Sequence, residues 1–196
     1  MVIFAKAPVP GRVKTRLAAD LGATRATEIY RELGRRTVEA LRSGPWVTTV
    51  HVDPPDADSI ADVTTWLGPD VRYEGQSSGD LGERMRSAID DELGGADAVC
   101  VVGTDLPELE ASTLRRAFDA LDTHDVVIGP ATDGGYYLIG MSRARPELFE
   151  GIPWSTARVL ELTLQRAEAA GLSVSVLEPR TDVDTVDDVP AALLRA

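Results

Sequence analysis

The chain has 196 residues, which suits one domain with a real core and no need for a disulfide or metal staple. Its single cysteine excludes a disulfide framework and any cysteine-based zinc site, and no apolar run approaches the roughly 18 residues that span a bilayer. Asp plus Glu number 32 against 20 Lys plus Arg, a formal net charge of -12, so neither nucleic acid nor a membrane surface is expected as a partner. The apolar start, Met1 to Ala5, is too short for a signal peptide and has no basic stretch before it, so a cytoplasmic protein is expected. The only lysines are Lys6 and Lys14; the other basic residues are arginines. An acidic, lysine-poor surface fits a high-salt cytoplasm, where screening weakens self-repulsion.

A first strand is expected at Val2–Ala5, followed by a helix marked by Ala26, Ile29, Tyr30, Leu33, Val38 and Leu41. Strands at Val47–Val52 and Val71–Glu74 precede a second helix marked by Leu81, Met85, Ala88 and Ile89. After a strand at Val99–Gly103 comes a helix marked by Leu114, Ala117, Phe118 and Leu121. Strands at Val126–Gly129 and Tyr136–Gly140, a helix marked by Leu160, Leu164 and Ala167, and a strand at Val174–Leu177 complete the pattern. Several strands are nearly continuous in apolar character, as strands buried on both faces are. The alternation predicts an α/β fold: a mostly parallel sheet with helices on both faces. The segments at 126–129 and 136–140 lie too close for a helical crossover, so the sheet is expected to be mixed there. No repeat or linker divides the chain, and a single domain over 1–196 is expected.

Ligands of such sheets bind at the carboxyl ends of the strands, and the unusual polar residues fall there. Directly after the first strand, Lys6, Arg12, Lys14 and Arg16 crowd a loop stiffened by Pro8 and Pro10 and loosened at Gly11. Cations and backbone N–H groups on such a loop suit a phosphate cradle; the alternative is a solvated basic loop. The spacing is neither Walker A nor GxGxxG. Asp105, in Gly103-Thr104-Asp105-Leu106-Pro107, closes the most apolar strand and suits a metal-binding carboxylate; otherwise it caps a helix that Ser112 or Thr113 could cap instead. Asp182 and Asp184 repeat at the extended-chain period, so both side chains take one face, as a hard cation such as Mg²⁺ would need; the alternative is a solvated acidic turn, common in so acidic a chain. Thr185 with Asp188 reads as a capping box, which leaves Asp187 and Asp188 to a helix N-terminus.

Three other features admit two readings each. Gly79, Asp80 and Gly82 lead into a helix whose start could hold part of a nucleotide, while Asp80 with Glu83 equally forms a capping box. Asp133-Gly134-Gly135 reads as a hairpin turn that also neighbours an acceptor position. Trp154 either walls a pocket or plugs the edge of the core. Cys100 reads as a buried small hydrophobe, and His51 and His124 have no partner at metal-ligand spacing. No GxSxG elbow or other convincing nucleophile is present.

In order along the chain, FAKAPVPGRVKTRLA, GDLGERM, GTDLP, DGGYYLIG, PWST and DVDT resemble the radical-SAM/selenodomain-associated transferase type 1 family. That family is a branch of the GT-A, or nucleotide-diphospho-sugar transferase, superfamily, and is also similar to 2-phospho-lactate guanylyltransferase. The resemblance implies a Rossmann-like GT-A domain that binds a nucleotide and a small acceptor with Mg²⁺ or Mn²⁺. It implies nucleotide contacts at Lys6, Pro8, Gly11, Arg12, Lys14, Arg16, Gly79, Asp80 and Gly82, and a metal at Asp105, Asp182 and Asp184. Acceptor contacts would fall at Asp133, Gly134, Gly135 and Trp154. Lys14, Arg12 and Asp105 would carry catalysis by neutralising phosphate charge. Nucleotidyl transfer from a nucleoside triphosphate is the leading expectation; sugar transfer from a nucleotide sugar and a non-catalytic nucleotide-binding module are the alternatives.

Overall fold

Among the described residues seven short strands form where the apolar runs predict them: β1 Val2–Lys6, β2 Thr49–Asp53, β3 Arg72–Gly75, β4 Val99–Val102, β5 Val126–Pro130, β6 Tyr136–Met141 and β7 Val174–Val176. The computed structural model describes residues 1–42, 44–107 and 109–195. The strand order is β3-β2-β1-β4-β6-β5-β7. β2 pairs parallel with β3 and β5 parallel with β7, whereas β6 runs antiparallel to both β4 and β5. The sheet is therefore mixed and mostly parallel. It departs from the βαβ rule where only a short turn separates β5 from β6, as the sequence requires. β4 and β5 are buried at every residue, which is why they lack polar alternation.

Among the described residues seven helices accompany the strands: α1 Thr15–Leu21, α2 Ala23–Arg42, α3 Ala57–Leu67, α4 Leu81–Leu93, α5 Ala111–Leu121, α6 Val159–Ala169 and α7 Ala191–Arg195. The four read from periodicity are α2, α4, α5 and α6; α2 buries nine residues, whereas α6 buries three, Val159, Thr163 and Ala167. α1 buries only Leu17, α7 only Leu193, and α3 only Val63 and Leu67. Stripes that thin leave little period to detect. α5 starts at Ala111, so Ser112 and Thr113 lie inside the helix rather than capping it.

The chain divides into two compact units. One comprises Ile3–Gly75, Gly103–Ala111 and Thr181–Ala196. Its core joins Leu17, Ala26, Ile29 and Leu33 to Val183, Val189 and Leu193, so the 183–193 segment packs on α1 and α2. The other comprises Met1–Val2, Gln76–Val102 and Ser112–Arg180, and includes the β4-β6-β5-β7 strands. In it Gly140 faces Cys100, whose Sγ lies 2.5 Å from where a Cβ would stand. Cys100 is fully buried, and burial pushes its thiol up to about 12, so it is an inert core residue as expected. His51, also buried, stacks on Phe4 with ring centroids 5.9 Å apart.

Candidate active site

The loop after β1 is folded by its own backbone. Val9 N–H donates to Ala7 O, Arg12 N–H donates to Val9 O, and Ala7 N–H donates to Asp53 O at the end of β2. Gly11 supplies the positive φ, 81°, that the turn needs. Pro8 is buried, while Lys6, Gly11, Arg12 and Arg16 are exposed. Lys14 differs from the other cations. Its backbone is left-handed at φ 47°, ψ 48°, a rare conformation for a residue with a Cβ. Its side chain is only 5% exposed and its ammonium does not reach into water.

That ammonium lies 2.9 Å from Asp105 Oδ1 and 3.4 Å from Asp184 Oδ1. Arg16 reaches the other oxygen of Asp184 at 3.3 Å. A buried ammonium is tolerated when carboxylates compensate it, and here two of them do. Asp105 Oδ1 is itself buried and takes no hydrogen bond, the contact with Lys14 being an ion pair out of hydrogen-bonding line. The rest of each carboxylate is open, with side chains 44% and 39% exposed. Two cations and two carboxylates thus meet on a half-open surface of one unit.

Distant segments are fastened together to make this arrangement. Val183 N–H donates to Asp105 O at 3.0 Å and its side chain is fully buried, which ties the 183–193 segment to the loop after β4. On either side of it Asp182 and Asp184 are half-buried, the alternation expected of an extended segment. Thr185 and Asp188 form the expected capping box around a short 3-10 turn at Val186–Asp188. Asp188 Oδ2 accepts from Thr185 N and Oγ1 and from Asp184 N, and these hydrogen bonds hold the Asp188 carboxyl below its ordinary value of 3.8. The Asp188 carboxylate is thus engaged in the cap and accepts from the backbone of Asp184.

One contributor escaped the sequence reading. Tyr30, on α2, enters it only as an apolar helix marker. Its hydroxyl accepts from Lys6 N at 2.8 Å, lies 3.2 Å from Lys6 O, and accepts from Thr104 Oγ1 at 3.2 Å. Tyr30 therefore ties the end of β1 to the residue preceding Asp105. Burial, and then the nearby Asp105 charge, push its phenol far above the ordinary value of 10.0, so it stays protonated. Trp66 packs on it at 5.2 Å, in a gap that Gly34 leaves open on α2. The spacing of a helix stripe does not reveal that a tyrosine's tip is polar and engaged.

Asp105 is the expected strand-end carboxylate, and the structure brings it together with Asp184, Lys14 and Arg16. Asp182 is not gathered with them into a cluster: among the described residues no three Asp, Glu, His or Cys side chains form a metal-holding group. The arrangement is local: buried Val183 anchors this stretch between the two aspartates, and Asp184 stands against Lys14.

The remaining expected residues lie in the other unit. Asp80 caps α4, accepting from Glu83 N at 2.9 Å, while Glu83 Oε2 accepts from Asp80 N at 2.9 Å. Arg84 clasps Gly79 O at 3.0 Å, which closes the loop that leads into the helix. Asp133 Oδ1 accepts from Gly135 N at 2.9 Å within the β5–β6 hairpin, and Gly134 adopts φ 90°. Trp154 lies against α4: a Cβ on Gly82 would stand 2.4 Å from its indole. It also meets Tyr136 edge-on and Phe149 face-on, each at 6.4 Å. Gly82 and Trp154, read as parts of separate motifs, are one packing contact.

The mixed sheet defines the protein class as one with a nucleotide-diphospho-sugar-transferase-like fold. A Desulfovibrio desulfuricans G20 protein, solved under the provisional description of nucleotide-diphospho-sugar transferase, is 34% identical. The match covers 99% of this chain and 92% of that one, with a TM-score of 0.92. The chain belongs to the family DUF2064, described as uncharacterized protein conserved in bacteria, whose match spans residues 37–156. The inositol-1-phosphate CTP transferase of T. maritima shares the fold at 14% identity and a TM-score of 0.61, over 99% of this chain and 93% of that one. So does Rv0371c of Mycobacterium tuberculosis H37Rv in its complex with manganese, at 17% identity and a TM-score of 0.57, over 95% and 94%. No curated protein matches the sequence. Among the described residues no helix is long and apolar enough to cross a membrane.

Proposed function

We propose that this protein is a divalent-metal-dependent transferase that moves a nucleotidyl group from a nucleoside triphosphate to a small acceptor. The observation that carries the reading is the meeting of Lys14 and Arg16 with Asp105 and Asp184 at the mouth of an exposed cationic loop. The similarity to transferases of nucleotide sugars and of CTP supports the nucleotide, and the manganese complex of Rv0371c supports the metal.

The residues fit a hard divalent ion. Asp105 Oδ1 is a buried carboxylate oxygen without a hydrogen bond, and Asp184 offers a second oxygen beside the same cation. Mg²⁺ is commonly held by one or two carboxylates plus substrate phosphates, so two protein ligands suffice. Asp105 and Asp184 would hold it, with Asp182 next along the segment. The bound ion would polarise phosphate oxygens as charge builds on the leaving group. The chain's own contribution is positional and electrostatic. Arg12, Arg16, Lys6 and Lys14 hold phosphate oxygens, Gly11 and Pro8 shape the loop that presents them, and Asp188 and Tyr30 fix the two carboxylate segments. The acceptor oxygen attacks the α-phosphorus, the α–β bridging bond breaks, pyrophosphate leaves with the electron pair, and the acceptor proton goes to solvent. No protein nucleophile is required.

A pyrophosphate-release assay with each of the four nucleoside triphosphates and phosphorylated small acceptors tests this. Release that needs Mg²⁺ or Mn²⁺ and vanishes in Asp105→Ala and Asp184→Ala is expected. The likeness to the Desulfovibrio protein favours a second reading, sugar transfer with a nucleoside diphosphate leaving. Turnover of a nucleotide sugar without pyrophosphate from any triphosphate selects that reading. Nucleotide binding that ignores metal and survives Asp105→Ala would leave only a binding module. The narrower likeness to 2-phospho-lactate guanylyltransferase names a phosphorylated acid as the first acceptor to try.

A further inference from the structure

Lys14 reverses the usual exposure of a loop lysine. A phosphate-binding lysine on an open loop keeps its ammonium in water until the anion arrives. Here the cation's side chain is 5% exposed while the carboxylates it bridges are 44% and 39% exposed. The ammonium faces one oxygen of each, at 2.9 and 3.4 Å, and one of those oxygens is the buried, unbonded Oδ1 of Asp105. Those oxygens are the ones offered to a divalent ion in the functional reading above, on which this inference rests. An ammonium and a divalent cation repel, and they cannot share the same two oxygens.

We propose that Lys14 is an internal counter-ion that holds the place of the divalent cation between Asp105 and Asp184 in the ligand-free protein, and gives it up when a phosphate chain takes the ammonium. Without Lys14 the two carboxylates, tied together through Val183 and Asp105 O, would face each other with only the exposed Arg16 left beside Asp184. With it they stay in register, ready for the ion. The phosphates of the incoming nucleotide give the ammonium a new partner as the metal takes the old ones. Metal alone is therefore bound weakly, nucleotide alone meets a lysine already engaged, and the two bind best together. By linkage each raises the other's affinity by the same factor.

The choice of residue agrees with this exchange. The chain has two lysines among 20 basic residues, and arginine fills almost every other cationic position. A guanidinium locks onto carboxylates as a planar fork, whereas an ammonium is a compact charge on a four-carbon stem that changes partners without a fixed geometry. The position that must let go of two carboxylates is one of the two that carry lysine. Arg16, which holds the outer oxygen of Asp184 from a 74% exposed side chain, has no such demand on it.

The lysine scarcity makes the test direct. Acetylation of the full wild-type chain, read by mass spectrometry, reports Lys14 and the exposed Lys6 side by side. Lys14 is expected to label more slowly than Lys6 in metal-free protein, and saturating Mn²⁺ to accelerate Lys14 while leaving Lys6 unchanged. In parallel, Mn²⁺ binding without nucleotide is followed by electron paramagnetic resonance for wild type, Lys14→Met, Lys14→Gln and Asp184→Asn. Removing the competing charge is expected to tighten Mn²⁺ binding about tenfold in either lysine variant, and Asp184→Asn to lose binding. Lysine variants that bind Mn²⁺ no tighter than wild type, or Lys14 labelling that Mn²⁺ leaves unchanged, overturn the counter-ion role while Asp184→Asn still loses the ion. Wild-type Mn²⁺ affinity retained in Asp184→Asn overturns the metal reading itself, and this inference with it.

Discussion

In the unit that holds α1 and α2, the strand-end aspartates face side-chain cations: Asp105 meets Lys14, and Asp184 meets Lys14 and Arg16. In the unit that holds α4 and the β5–β6 hairpin, comparable aspartates face backbone. Asp80 accepts from Glu83 N and Asp133 from Gly135 N. A carboxylate bound to its own loop is a structural part whose job is finished on folding. One that faces a cation can exchange that cation for another. The difference separates a candidate chemical site from turns and caps built of the same residue types.

The sharpest way to break this contrast is to remove the first kind of carboxylate. Asp184→Ala or Asp105→Ala is expected to weaken metal-dependent nucleotide binding by about 100-fold or more, read by calorimetry with and without Mg²⁺. A small effect would erase the distinction. Gly82→Val tests the other unit, because its Cβ would stand 2.4 Å from the Trp154 indole. Overpacking of that kind lowers the unfolding free energy by about 1–3 kcal/mol in a urea melt, and Mn²⁺ affinity is expected to hold in the folded fraction. Asp80→Ala removes one half of a capping box and is expected to lower stability by about 1 kcal/mol, with Asp80→Ser recovering most of it. Nucleotide affinity lost in a stable Asp80→Ser protein would make Asp80 a binding residue as well.

The smallest effect concerns acid. Side-chain and backbone hydrogen bonds from Ser173, aided by Arg145, hold the Asp125 carboxyl below its ordinary value of 3.8. A folded-state value below the unfolded one contributes stability above the unfolded value and loses it as pH falls through the folded one. The stability difference between wild type and Asp125→Asn, followed by urea midpoints across pH, is therefore expected to be full at neutral pH. It should fade only below about pH 3.8.

Much of the fold was legible because burial on both faces forces continuous apolar strands, and α2, α4, α5 and α6 each bury three or more residues at helical spacing. α1, α3 and α7 were not, since one or two buried residues make no period. Lys14, Asp105 and Asp184 were legible as types at strand ends. That Lys14 turns inward was not, because its left-handed backbone is set by the loop and not by its own propensity. Tyr30 was hidden by its apolar body, which fits the helix stripe, while its hydroxyl works at two strand ends. The Gly82–Trp154 contact joins segments that no local pattern connects.

The Lys14–Asp184 contact joins residues 170 positions apart. Contacts of such separation close only after a long stretch of chain has lost its freedom, and little rewards them until neighbouring elements are in place. In kinetic terms the charge cluster is expected to close late. Refolding followed through Lys14 protection against acetylation should trail refolding followed through helical ellipticity, and metal binding should appear only at the end of the slower trace.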